Sequence, residues 1–288
     1  MKRILISTIS IILILISGIV LANNNIALNY NIIPEIPNGY VVDRNHNQYI
    51  NFSLFENENT LYFKGQKLDI INNAFSINIE ELEGKNEFTI SNDLGETVTY
   101  TYYISDENGY LKDFKLDGLK NNSTKCYIKT VNNVSIIYTE KEKETVKSVE
   151  EIILSLPEKL LNNLEEIKLI PTEHISKAAG ITNYDKIVFY NLSKYSKATI
   201  KNIVIHEIAH TWAFELMKDK KIDFSYTDYR EKVESDNKFP SQYAKENVKN
   251  GKYNEDFAES VSFFLINESS FTNKYPARAS YIKELLEK

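Results

Sequence analysis

The chain has 288 residues, with 34 Lys and Arg against 40 Asp and Glu, and a formal charge of −6 at pH 7. A hydrophobic share of 42% and a charged share of 26% suit packed domains and exclude wholesale disorder, and the length predicts two domains rather than one. Mild acidity without a basic stripe excludes a nucleic-acid surface, and the single cysteine, Cys126, excludes an internal disulfide framework or a multi-cysteine metal site.

Lys2 and Arg3 precede an apolar run from Ile4 to Ala22 that ends in Val20-Leu21-Ala22, followed by three asparagines. A basic start, an apolar core and a small-residue end predict a signal peptide over residues 1–22, cleaved after Ala22. Retained, the same run is about long enough to serve as a membrane anchor. Either way the remainder is expected outside the cytoplasm, secreted or on the cell surface.

From about Tyr30 to Leu116 the hydrophobic period is two. Phe88 to Ile104 alternates apolar and polar residues on both sides of a turn at Asn92–Gly95, which would put Val98, Tyr100 and Tyr102 on one face. Short runs at 48–55, 60–63, 67–71 and 75–79 are separated by Asn-, Gly- and Glu-rich turns. This pattern predicts an all-β sandwich over 30–116. The passage Leu82 to Asn92 is similar to the late strands of bacterial immunoglobulin-like domains, a resemblance that implies a spacer or adhesive module without chemistry of its own.

Past a join near Asp117–Thr124 the pattern turns helical. Val146, Val149, Ile152, Ile153 and Leu156 repeat at helical spacing, 167–170 and 186–190 are predicted strands, and helices are predicted at about 197–218, 254–267 and 276–286. The expectation for 117–288 is an α+β domain, and the whole chain is expected to be multidomain.

Residues 206–210 are His-Glu-Ile-Ala-His, in a chain with only four histidines. On a helix, residues four apart share a face, so His206 and His210 can reach one metal ion, while Glu207 stands beside them, able to hold a metal-activated water. A catalytic zinc takes three protein ligands and keeps one position open. No histidine follows His210, and His174 lies in a loop-like setting, so the third ligand is expected to be a carboxylate on a later helix. Glu255 and Glu259, one turn apart in Asn254-Glu-Asp-Phe-Ala-Glu259, are the candidates. One would bind the metal and the other would accept the free ring N–H of a ligand histidine; the residues leave both assignments open.

His206 to His210 followed by Asn254 to Glu259 resembles the gluzincin metallopeptidases, most of all the anthrax lethal factor catalytic domain and the secreted Pro-Pro endopeptidases. The likeness covers 117–288, whose last residues, Lys274 to Leu286, are similar to the family's closing helix. It implies a zincin-like fold, one zinc per chain held by His206, His210 and Glu255, with Glu259 supporting a ligand and Glu207 as the base. The resemblance also implies a tyrosine facing the scissile carbonyl. Tyr243 in Phe239-Pro-Ser-Gln-Tyr-Ala244 is the match, although a longer gap before Glu255 leaves Tyr253 as a rival. The implied activity is zinc-dependent endopeptidase hydrolysis of extracellular proteins. The expected partner is a protein or peptide substrate, proline-rich segments among the candidates, with a cell wall or membrane surface close by and the chain a monomer. The alternative is a cell-surface binding or adhesion protein that holds zinc without proteolysis. The strand at 186–190, just before the active helix, is the expected edge for pairing with an extended substrate.

Overall fold

The computed structural model describes residues 32–36, 39–55, 60–117, 119, 124–223 and 225–287; the signal peptide or anchor expected over 1–22 lies outside them. The chain divides between Phe114 and Lys115 into two compact units, the first β-rich and the second mostly helical around a mixed sheet.

The first unit contains strands β1 (Ile32–Pro34), β2 (Val41–Val42), β3 (Tyr49–Leu54), β4 (Leu61–Phe63), β5 (Gln66–Lys67), β6 (Ala74–Asn78), β7 (Gly84–Asn92), β8 (Thr97–Ile104) and β9 (Tyr110–Leu111). One sheet has the order β1-β3-β6 and a second the order β2-β8-β7-β4-β5. Alternation creates the core: Ile50, Phe52 and Leu54 of β3 and Val98, Tyr100 and Tyr102 of β8 point inward, while their chain neighbours are more exposed. The two inner faces share these side chains. The rings of Phe52 and Tyr100 lie 5.3 Å apart, and the Tyr100 hydroxyl donates to the Ile32 carbonyl at 2.9 Å. The hairpin of β7 and β8 closes around Asn92, whose side-chain oxygen accepts from the amides of Leu94 and Glu96. The run expected as a strand over 67–71 forms a strand only at its start, and its last residue, Ile71, makes a single bridge to Ala74. Asn72 and Asn73 adopt φ of 52° and 58°, turning the chain into β6 and leaving Ile71 exposed.

The second unit contains β10 (Cys126–Val131), β11 (Val134–Thr139), α1 (Lys143–Ser155), β12 (Glu166–Ile170), β13 (Gly180–Asn183), β14 (Lys186–Tyr190), α2 (Lys197–Lys218), α3 (Thr227–Asp236), α4 (Gln242–Lys249), α5 (Tyr253–Ile266), α6 (Glu268–Lys274) and α7 (Pro276–Glu287). Its strands run β13-β14-β12-β11-β10. Those at 134–139, 166–170 and 186–190 are mutually parallel, while β13 and β10 run antiparallel to β14 and β11. The expected free edge at 186–190 is therefore wrong. β13 pairs along it, Ile181 opposite Val188, and takes the outer position. Gly180-Ile-Thr-Asn183 is too short and polar to show a strand's alternation, so only pairing with β14 makes it one.

Helix α2 starts at Ser196, whose Oγ accepts from the Thr199 amide at 3.2 Å. Its buried residues, among them Ile200, Val204, Ile205, Ile208, Trp212 and Leu216, occupy several faces, because the sheet packs on one side and α5 on another. Phe257, Ala258 and Val261 bring α5 against it, with the Trp212 and Phe257 rings 5.9 Å apart. The first turn of α5 is also held by charge. Arg278 of α7 is fully buried and bonds Asp256 through Nε at 2.9 Å and Nη2 at 3.2 Å, and Asp236 through Nη1 at 3.1 Å. The Tyr229 hydroxyl of α3 donates to the same Asp256 at 2.6 Å.

Candidate metal centre

Packing of α5 on α2 brings three side chains to one point. His206 Nε2 and His210 Nε2 are 3.2 Å apart, and Glu255 Oε2 lies 3.4 Å from the first and 3.5 Å from the second. Among the described residues this is the one group of three such side chains whose ligand atoms converge, and each is part-buried. Tetrahedral coordination at Zn–N distances of about 2.0–2.1 Å puts neighbouring ligand atoms about 3.3–3.4 Å apart. The observed edges of 3.2, 3.4 and 3.5 Å match one face of such a tetrahedron. Two facing imidazole lone pairs would repel one another, whereas a cation between them turns the repulsion into coordination.

The surroundings also favour positive charge at this point. Burial by itself would lower the His206 pKa, but its contacts with Glu255 and Glu259 and the charge of Glu207 outweigh that and push it up to about 9. Burial works the other way on Glu255, yet the two histidines hold its carboxyl well below the usual carboxylate range. Its remaining contacts aim it: Asn254 Nδ2 donates to Oε1 at 3.0 Å and the Tyr243 hydroxyl donates to Oε2 at 2.9 Å.

Glu259, one turn further along α5, stands behind His206, its Oε1 3.2 Å from Nδ1. That buried nitrogen has no hydrogen bond of standard geometry, and the contact is an ion pair only when the ring is protonated. Burial tends to raise the Glu259 pKa, but His206 and the Ser241 hydroxyl lower it and keep the carboxylate charged. Of the two acids left open by the sequence, Glu255 thus faces both Nε2 atoms and Glu259 faces the far side of one ring.

Glu207 lies beside the triangle on α2. Its Oε2 accepts a hydrogen bond of 2.6 Å from Thr182 on β13. Together with Gly180, Phe214 and Tyr243, these residues line a cleft of about 280 Å³. Tyr243 sits in the first turn of α4, and its ring centroid is 6.1 Å from that of His206. Burial first, then the Glu255 charge, raise the pKa of its phenol, keeping it a proton donor. Tyr253 lines a neighbouring cavity of about 270 Å³ with Met217 and Tyr226, and the Arg230 guanidinium sits over its ring at 5.4 Å. The long gap between Tyr243 and Glu255 is helix α4 folded back on α5, so these two residues, 12 positions apart, touch. His174 bonds Ser176 in a loop and takes no part in the group.

Sequence reasoning misses Gly180, Thr182, Asn254 and Ser241. The first two lie on a strand with no periodic signal; Ser241 and Asn254 lie inside quoted segments, but nothing in those segments shows which acid each would touch. No family model matches the chain, and a search of curated proteins finds no match either.

Proposed function

We propose that the chain is a zinc-dependent endopeptidase of the gluzincin type, acting outside the cytoplasm, with its first unit an immunoglobulin-like sandwich. The observation that carries this reading is the triangle of His206 Nε2, His210 Nε2 and Glu255 Oε2, with edges of 3.2, 3.4 and 3.5 Å, bordering a cleft that also holds a carboxylate. A site serving structure alone closes its coordination with protein ligands and has no use for a free acid at its open side.

His206, His210 and Glu255 would hold the ion, and Glu259 would fix the His206 ring and raise its basicity. Zinc bound there supplies a Lewis acid that acidifies water and polarises a carbonyl. Glu207 takes the proton of the attacking water on its carboxylate and passes it to the leaving amine. The Tyr243 hydroxyl turns from Glu255 to donate to the oxyanion that develops on the substrate carbonyl. Strand β13, the outer strand beside the cleft, offers its main chain to an extended peptide, and the neighbouring cavity with Met217 and Tyr226 has room for a substrate side chain.

The test is a peptide-library digest read by mass spectrometry with the zinc-loaded protein, the chelated protein and Glu207→Gln. Cleavage is expected only from the first. Glu207→Gln should keep one zinc per chain while hydrolysis falls by about 10²–10⁴-fold, the usual range for loss of a general base. Zinc binding without cleavage by the unaltered protein would return the chain to the adhesive alternative.

A further inference from the structure

Strand β13 makes a contact with Glu207 that the chemistry above leaves unexplained. Thr182 Oγ1 lies 2.6 Å from Glu207 Oε2 and 3.2 Å from the Glu207 main-chain oxygen. A hydroxyl has one proton to donate, and the shorter, charged acceptor takes it. Two residues earlier, a Cβ on Gly180 would stand 2.5 Å from Cγ and 2.7 Å from both Cδ and Oε1 of the same side chain. Such distances are far inside van der Waals contact, so the carboxylate fits only because residue 180 has no side chain. Strand alternation places 180 and 182 on one face, and the β14 register, with Gly180 opposite Phe189 and Thr182 opposite Ile187, fixes their spacing.

We infer that Gly180 and Thr182 are positioning residues that lock the Glu207 carboxylate in one orientation over the cleft, Thr182 by a hydrogen bond to Oε2 and Gly180 by leaving room for Oε1. The inference rests on Glu207 being the base. A glutamate has three rotatable torsions, and a base that wanders among their wells is out of reach of the attacking water for part of the time. Mounting the hydroxyl and the space beside it on one sheet-paired strand holds the carboxylate in that orientation.

The test uses the full, zinc-loaded chain and the fastest-cut peptide of the library. Thr182→Val keeps the shape and removes the proton. It should lower kcat by roughly 10–100-fold, the scale of a hydrogen bond to a charged group, with KM and zinc content unchanged. Thr182→Ser restores the hydroxyl and should recover most of the loss, which a purely structural role for the methyl group would not allow. Gly180→Ala should lower kcat at least as far, since its Cβ must displace the carboxylate. Crystal structures of Thr182→Val and Gly180→Ala with zinc bound should show Glu207 rotated away from β13. Unchanged kcat in Thr182→Val, or a fall that merely tracks zinc loss, overturns the inference. Should the unaltered protein cleave nothing, the peptidase reading fails on its own account. The crystals then decide the inference alone: a Glu207 carboxylate unmoved in both variants sinks it.

Discussion

Glu255 and Glu259 are the same residue type one turn apart on α5, and their surroundings separate them. The first meets two imidazole nitrogens and a phenol; the second meets one ring nitrogen from behind and a serine hydroxyl. Removing a carboxylate that faces the ion should therefore cost more than removing one that steers a ligand. Glu259→Gln is expected to weaken zinc binding by about 10–100-fold. Glu255→Ala should weaken it further, and competition against a chromophoric chelator measures both; equal losses would contradict the division of roles. Tyr243 offers a cleaner separation, being half exposed and on the cleft wall. Tyr243→Phe should leave zinc content intact while kcat drops by about 10²–10³-fold, typical of losing one oxyanion donor. A drop of similar size in Tyr253→Phe, with Tyr243→Phe silent, would reverse the choice between the two tyrosines.

At the scale of elements, the site depends on how α5 is seated. Hydrophobic burial of Phe257, Ala258 and Val261 presses it onto α2, but apolar contacts alone tolerate sliding and rotation. The bonds from Arg278 and Tyr229 to Asp256, next in sequence to Glu255, are directional and fix the first turn. Arg278→Met would leave Asp236 and Asp256 buried without their cation, and breaking one side of a buried ion pair typically costs about 3–5 kcal/mol. Urea unfolding should show a loss of that order, and a change below about 1 kcal/mol would mean that water or relaxation replaces the arginine. The capping serine of α2 is a milder case. Ser196→Ala should cost about 1 kcal/mol without touching zinc affinity, since the ligands lie two and more turns into the helix.

For the whole molecule, each unit has an apolar core of its own, and the candidate metal ligands all belong to the second. A ligand that binds only the folded state adds RT ln(1 + [L]/Kd), about 2.7 kcal/mol at a hundredfold excess over Kd. Calorimetry with zinc and then with chelator should move the unfolding of the helical unit and leave that of the β-rich unit in place. A shift of both together by the same amount would mean that the units unfold as one.

Local pattern was enough for much of this. Alternation along Phe88–Ile104 announces a hairpin with one buried face, because side chains in a strand point to opposite sides. The i, i+4 histidines announce a shared target, because four residues make about one helical turn. Both are short-range periodicities carried by the chain itself. The helices α3, α4 and α6 escape it: α3, for one, buries only Tyr229 and Val233, too few positions to set a period. The strand at Gly180–Asn183 escapes it too, since its partner across the sheet, not its composition, makes it extended. The division of labour between two acids on one helix and the choice of tyrosine depend on distances between elements far apart in sequence. So does the pairing of Gly180 and Thr182 with Glu207. Linear order carries no such distances; they come into being when α5, α4 and β13 pack around α2.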